Sequence, residues 1–393
     1  MTIATSSSAR SNGGGIPSSA RWTRASKRSL GRSERRARDA SLEPRRRFTI
    51  SFVSYGWMAG QPEPASFPAL DLDLSAVPAA DPGASPQGFV VEVAPGERIH
   101  FLDWDGPSGA TPGPGVRQRD APVLLIHGLA QTAWIWTPVA RRLRARRRVV
   151  AMDVRGHGLS DSPTHGYVPG QLAEDAIAVA DGADLLAGAD SAIVLAGHGA
   201  GAMVAAWTAA ELAERCAGLV LVDGGWESLP ETTDLDPEEF LRSLEEPPEV
   251  LRSMTSFLAD RAGFDRATWN ADQEQAARAT VIEVPAGKVV AGVRPHALEG
   301  LARAIFDYRP EEALGRVGAP IVALMASDDE FGRRAAAMAR LQGARRTAGL
   351  PAIPVASFPG DGHNLMRYRP AEVTAAILHV ELLAGPTGRR GQA

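Results

Sequence analysis

The chain has 393 residues, 44% of them hydrophobic, and 42 Lys and Arg against 46 Asp and Glu give a formal net charge of −4. That length and apolar content can bury one large α/β domain with an insertion. No uninterrupted apolar run approaches the roughly 18 residues that a membrane span needs, and the single cysteine, Cys216, excludes an intrachain disulfide framework.

Charge is unevenly spread. Residues 1–57 hold twelve Lys and Arg against three acids, whereas the remainder holds 30 bases against 43 acids. A Ser- and Arg-rich stretch of that kind has too little apolar surface to fold alone, so residues 1–57 are expected to form a disordered basic extension. Three explanations stand side by side. Translation can start at Met58; the run Arg45-Arg46-Arg47-Phe48 resembles part of a twin-arginine export signal, although Thr49 to Met58 is short and weakly apolar; or the head is a nucleic-acid arm. The acidic body offers no surface to continue such an arm, so no nucleic-acid partner is expected. Residues 58–87, rich in Pro, Ala and Asp without periodicity, are expected to be a linker.

The core is expected over 88–223 and 316–384. Phe89 to Val93 and Arg98 to Trp104, joined by Pro95-Gly96, predict a first antiparallel pair. Val123 to Ile126, Arg148 to Met152, Ala192 to Ala196, Gly218 to Val222, Ile321 to Met325 and Ile353 to Phe358 alternate with helical patterns. Most of these runs are continuously apolar, as strands covered on both faces are. The pattern predicts an α/β fold with a doubly wound, mostly parallel sheet. Residues 224–315 are too long for a simple connection and are expected to form an inserted helical cap.

Four short motifs follow these runs in order: His127-Gly128-Leu129, then Asp153-Val154-Arg155-Gly156-His157-Gly158-Leu159-Ser160, then Gly197-His198-Gly199-Ala200-Gly201, and Gly360-Asp361-Gly362-His363 near the end. In order and spacing they resemble the α/β-hydrolase family, in its capped, esterase- or epoxide-hydrolase-like form, over roughly Gly88 to Leu383. The resemblance implies an oxyanion hole from the backbone N–H groups of Leu129 and Ala200, a general base at His363, and an orienting acid at Asp329, with Asp328 in reserve. It also places glycine where the nucleophile of a G-x-S-x-G elbow would stand: Gly199 has no side chain to project.

Each feature also has a plainer reading. Glycine suits the strained turn of an elbow. His198 is expected to pack beside the site and contact substrate. Trp134 and Trp136 wall an apolar pocket or fill the core. His127, His157, Asp153 and Arg155 are expected to hold turns together. No C-x-x-C pair or H-E-x-x-H helix occurs, so no metal is expected, and the G-x-G-x-G spacing is not that of a dinucleotide site, so no cofactor is expected either.

Three functions remain open. The chain is an enzyme without a covalent intermediate, in which a His363–Asp329 dyad activates water; it is a non-catalytic binding protein on a hydrolase scaffold, similar in its missing nucleophile to the N-myc downstream regulated family; or it is an esterase-like hydrolase whose serine has been replaced. In each, the partner is a small, fairly apolar ester- or acyl-like molecule, with no membrane contact. A cytoplasmic location is the expectation, and the oligomeric state stays open.

Overall fold

A computed structural model describes residues 67–107, 120–326 and 332–383. These belong to one unit that runs from Pro64 onward. The basic head, the first part of the segment read as linker, and Asp328 and Asp329 lie outside the described residues.

The centre is an eight-stranded sheet in the order β1-β2-β4-β3-β5-β6-β9-β10. Its strands are β1 (Gln87–Ala94), β2 (Glu97–Asp103), β3 (Val123–Ile126), β4 (Val149–Met152), β5 (Ile193–His198), β6 (Cys216–Val222), β9 (Ile321–Ala326) and β10 (Val355–Phe358). Strands β1, β2 and β4 pair antiparallel, and every pairing from β4 to β10 is parallel. The apolar runs thus become strands within two residues of their expected ends. Strands β3, β4, β5 and β9 are buried along their whole length, while the edge strands β1 and β10 are partly exposed.

Side chains alternate across the sheet, and this divides the core in two. Leu124 and Ile126 of β3 join one apolar cluster; Val123 and Leu125 join the other. On the first face lie α2 (Pro169–Gly182) and α3 (Ala200–Leu212), with α9 (Pro310–Leu314) and α10 (Arg333–Thr347); on the second lie α1 (Thr137–Leu143), α11 (Leu365–Tyr368) and α12 (Pro370–His379). Both faces are therefore covered, which is what continuously apolar strands require.

Part of the segment read as linker is tied to this sheet. Ala69 bridges Val355 in parallel, the Leu70 N–H donates to Val355 O at 3.0 Å, and Leu70 is buried. A leucine at the open edge of β10 gains more from packing there than from solvation.

Between β6 and β9 lie α4 (Leu229–Thr232), α5 (Pro237–Ser243), α6 (Met254–Phe264), α7 (Ala271–Ala279) and α8 (Pro295–Phe306). The stretch is not helical throughout, for β7 (Val281–Glu283) and β8 (Val289–Ala291) pair as an antiparallel ribbon. Helix α7 rests against the turn Ala133–Trp136: Ala276 shares an apolar cluster with Ile135, and Arg141 pairs with Asp272 at 2.7 Å.

Candidate functional site

The turn from β5 into α3 is tightly constrained. A Cβ on Gly197 would lie 2.2 Å from Gly201 O, and one on Gly201 would lie 2.3 Å from His127 O, so strand and helix approach too closely for any side chain. Between them Gly199 has φ 53° and ψ −119°, and its N–H donates to Val222 O at 3.0 Å. That conformation costs a residue with a Cβ about 1–3 kcal/mol. A Cβ on Gly199 would stand 3.1 Å from His363 Nε2 and 3.3 Å from its Cε1. The elbow thus faces the ring of His363 across the space a side chain would fill.

The ring is fixed from its far side. His363 Nδ1 donates to Asp223 Oδ2 at 2.5 Å. Asp223 follows the last residue of β6 and is 4% exposed. Its other oxygen accepts from the Ala326 N–H at 2.9 Å and from Arg334 at 2.8 Å. Arg334 also binds Glu227 and lies over the Trp226 ring, 4.7 Å from its centroid. Burial pushes the Asp223 carboxyl up, but His363 and Arg334 outweigh it and hold the acid below its ordinary range. Glu227 moves the other way, raised chiefly by burial, with one oxygen lacking a partner among the described residues. Asp223 also keeps φ 48°, a left-handed conformation that aspartate tolerates better than most residues. The described acid on His363 is therefore one that the sequence reading did not single out. Its signal was there: Asp223-Gly224-Gly225 ends an apolar strand, and a Cβ on Gly224 would lie 2.8 Å from Gly199 Cα, so Asp223 emerges beside the elbow.

The other expected residues fall as follows. The N–H groups of Leu129 and Ala200 have no acceptor among the described residues, and Ala200 opens α3. Leu129 sits in a turn held by two histidines. The Nδ1 of His127 donates to Gly128 O at 2.7 Å while its Nε2 accepts from Val154 N–H at 3.0 Å. His157 accepts from Ala130 N–H at 3.2 Å and donates to Arg155 O at 3.2 Å. Each ring needs one bare nitrogen for this, and burial lowers both, His157 to about 3. Asp153 joins the same turns, accepting from His100, from Ala133 N–H and from Leu159 N–H.

His198 is fully buried, with its ring centroid 4.3 Å from that of His363. Its Nε2 donates to His363 O at 3.0 Å and its Nδ1 lies 3.1 Å from Gln131 Oε1; burial lowers its pKa to about 3. Trp134 packs edge-on against Trp104, with centroids 6.4 Å apart, and Trp136 is buried in the core. Neither lines the cavity beside the site.

That cavity measures about 270 Å³. Ala130, Gln131 and Asn364, neighbours in sequence of Leu129 and His363, form its inner wall. Apolar side chains from the insertion, among them Leu251, Phe257, Trp269 and Val293, form the outer one, with Gln273, Arg261, Glu246 and Arg367 also on the wall. Among the described residues no group of three or more His, Cys, Asp or Glu is placed to hold a metal ion, and no helix is long and apolar enough to cross a membrane.

Comparison with known proteins agrees with this architecture. A 2-(acetamidomethylene)succinate hydrolase of Mesorhizobium japonicum is 37% identical over 62 residues, which is 15% of this chain and 22% of that protein. The chain's match thus spans only about a fifth of that relative's length. The crystal structure of an E-2-(acetamidomethylene)succinate hydrolase superposes with a TM-score of 0.57 at 21% identity, covering 75% of this chain and 99% of the other. An N-formylmaleamic acid deformylase from Pseudomonas putida S16 gives 0.52 at 20%, covering 74% of this chain and 100% of the other. The alpha/beta hydrolase family itself matches residues 123–377. That span is well over half of the sequence, and the chain belongs to the alpha/beta hydrolase family.

Proposed function

We propose that the chain hydrolyses a small, fairly apolar ester- or amide-like molecule by general-base catalysis, without a covalent intermediate. One observation carries this reading: the Gly199 turn faces His363 Nε2, while the opposite ring nitrogen is committed to Asp223. A water within about 2.6–3.2 Å of Nε2 satisfies the reach a general base needs. Its oxygen attacks the acyl carbon as His363 takes its proton. The carbonyl oxygen becomes an oxyanion, for which the N–H groups of Leu129 and Ala200, without acceptors among the described residues, are suited donors. As the tetrahedral species collapses, His363 returns the proton to the departing oxygen or nitrogen, releasing an acid and an alcohol or amine. Asp223 holds the ring in this tautomer and stabilises the imidazolium, the role expected of Asp329, which lies outside the described residues.

General-base help contributes about 10²- to 10⁴-fold, and one oxyanion donor about 10²- to 10³-fold, so turnover without serine is physically reasonable. The names of the similar proteins, a hydrolase and a deformylase of small acyl compounds, support the reaction class. The test is turnover of short activated esters and amides by the natural chain beside His363→Ala. Loss of the activity supports the reading; an unchanged rate overturns it. The second reading, a pocket that binds such a molecule without altering it, is favoured by the bare Gly199 itself, and tight binding with no turnover would establish it.

A further inference from the structure

We propose that Arg367 and Gln273 form a carboxylate-recognising end of the cavity, so that the molecule taken there is a small acid with an apolar segment. This deepens the reading above by naming the substrate class of the same pocket.

Three charged side chains line the cavity: Arg261, Glu246 and Arg367. Arg261 and Glu246 pair with each other, which leaves the charge of Arg367 uncompensated on that wall. Among the described residues no carboxylate stands within ion-pair distance of Arg367. Its bonds go to the Thr268 hydroxyl at 2.8 Å, Asp265 O at 2.5 Å and Arg261 O at 3.4 Å. Asp265 feels its charge, but that carboxylate already accepts from Ala267 N–H and the Thr268 hydroxyl. A guanidinium has five N–H groups, so these three bonds leave two unused. The rings of Trp269 and Tyr368 flank the group at 5.6 and 5.4 Å from their centroids and keep its plane in place. A half-buried, pre-positioned fork with spare donors matches the two oxygens of a carboxylate better than any neutral group.

Gln273 is the independent observation. It lines the same cavity at 5% exposure, and its side-chain amide has no partner among the described residues, although its backbone N–H donates to Asn270. The amide atoms of Gln273 are not among the sealed, unpartnered ones of the described residues, so they open on the space of the cavity and are available to a polar group held there. Phe257, Trp269 and Leu251 give the same cavity apolar walls. From Arg367 the wall continues to Asn364, whose Oδ1 accepts from Gln131 Nε2 at 2.7 Å, and so to the turn carrying Leu129. An acid held at Arg367 therefore extends its apolar segment along a wall that leads toward His363.

The test is calorimetry on the full chain with 4-phenylbutyrate and its neutral amide, 4-phenylbutanamide. The acid should bind at least tenfold tighter than the amide. Arg367→Gln should bring the two together, and Gln273→Leu should weaken the acid several-fold. Equal binding of acid and amide by the natural chain overturns the proposal, and that comparison decides it even where a variant fails to fold. A preference that survives Arg367→Gln overturns it as well. The measurement needs no turnover: a chain that prefers the acid but hydrolyses nothing refutes the hydrolytic reading alone, and one that hydrolyses esters without preferring the acid refutes this inference alone.

Discussion

Gly199→Ser tests the site most directly. The new Cβ would occupy a backbone with φ 53° and stand 3.1 Å from His363 Nε2, closer than a relaxed contact. The turn conformation costs about 1–3 kcal/mol, and a domain of more than 250 residues shifts by less than the about 2–4 °C per kcal/mol of smaller ones, so the melting temperature should fall by less than about 12 °C. The ring has room to retreat by a few tenths of an ångström, because its side chain is 58% exposed. Its bond to Asp223 then sets where it comes to rest, within reach of the serine hydroxyl. Loss of a nucleophilic serine in a working triad costs about 10⁶-fold, so even an imperfect restoration should raise p-nitrophenyl butyrate hydrolysis by at least about 10³-fold. A burst of p-nitrophenolate close to one per chain should accompany it, and Gly199→Ser with His363→Ala should show neither. A folded serine variant with no gain in rate and no burst would refute the claim that the elbow, His363 and the two backbone donors are assembled for acyl chemistry.

Other expectations follow from the buried charges. Replacing Arg334 by Met leaves Asp223 and Glu227 buried without their cation and should destabilise the fold by about 3–5 kcal/mol, as breaking a buried ion pair does; urea denaturation measures it. His157 and His198 have folded pKa values of about 3 against an unfolded value of 6.5. The unfolded chain therefore binds more protons between those limits, so stability should be full above about pH 6.5 and fall as pH drops toward 3, by up to about 1.4 kcal/mol per pH unit for each ring. A pH series of thermal melts that stayed flat from 6.5 to 4 would contradict it. Burial pushes the Cys216 thiol up to about 12, so a thiol reagent at pH 8 should label the native protein far more slowly than the urea-unfolded one.

Much of the architecture was legible because burial on both faces leaves a simple mark. Val123 to Ile126 and Ile321 to Met325 read as strands since nothing polar interrupts them, and the structure keeps them buried throughout. His363 was singled out by the resemblance carried in Gly360-Asp361-Gly362-His363, and its ring does face Gly199. Asp223 was not, because the last residues of β6 and the acid after them look like any strand running into a turn; only the approach of Gly224 to Gly199 reveals which way the carboxylate faces. The ribbon β7–β8 escaped notice since three-residue strands such as Val281–Glu283 carry too little alternation to stand out between helices. Trp134 was ambiguous for a different reason: aromatic side chains fill cores and line pockets alike, and its contact with Trp104 is made by residues thirty positions apart. Arg367 carried no motif, and its significance depends on what does not pair with it in space.

The carboxylate on His363 is placed by the sheet, although it stands one residue beyond the strand. Asp223 follows β6 directly, takes its N–H donor from the end of β9, and inherits its position from the pairing of Leu221 with Ala323 and Val222 with Leu324. A slip of one residue between these two strands would send the acid to the opposite side of the sheet. The bond between Asp223 and His363 thus depends on the register of β6 against β9 as much as on the two residues that make it.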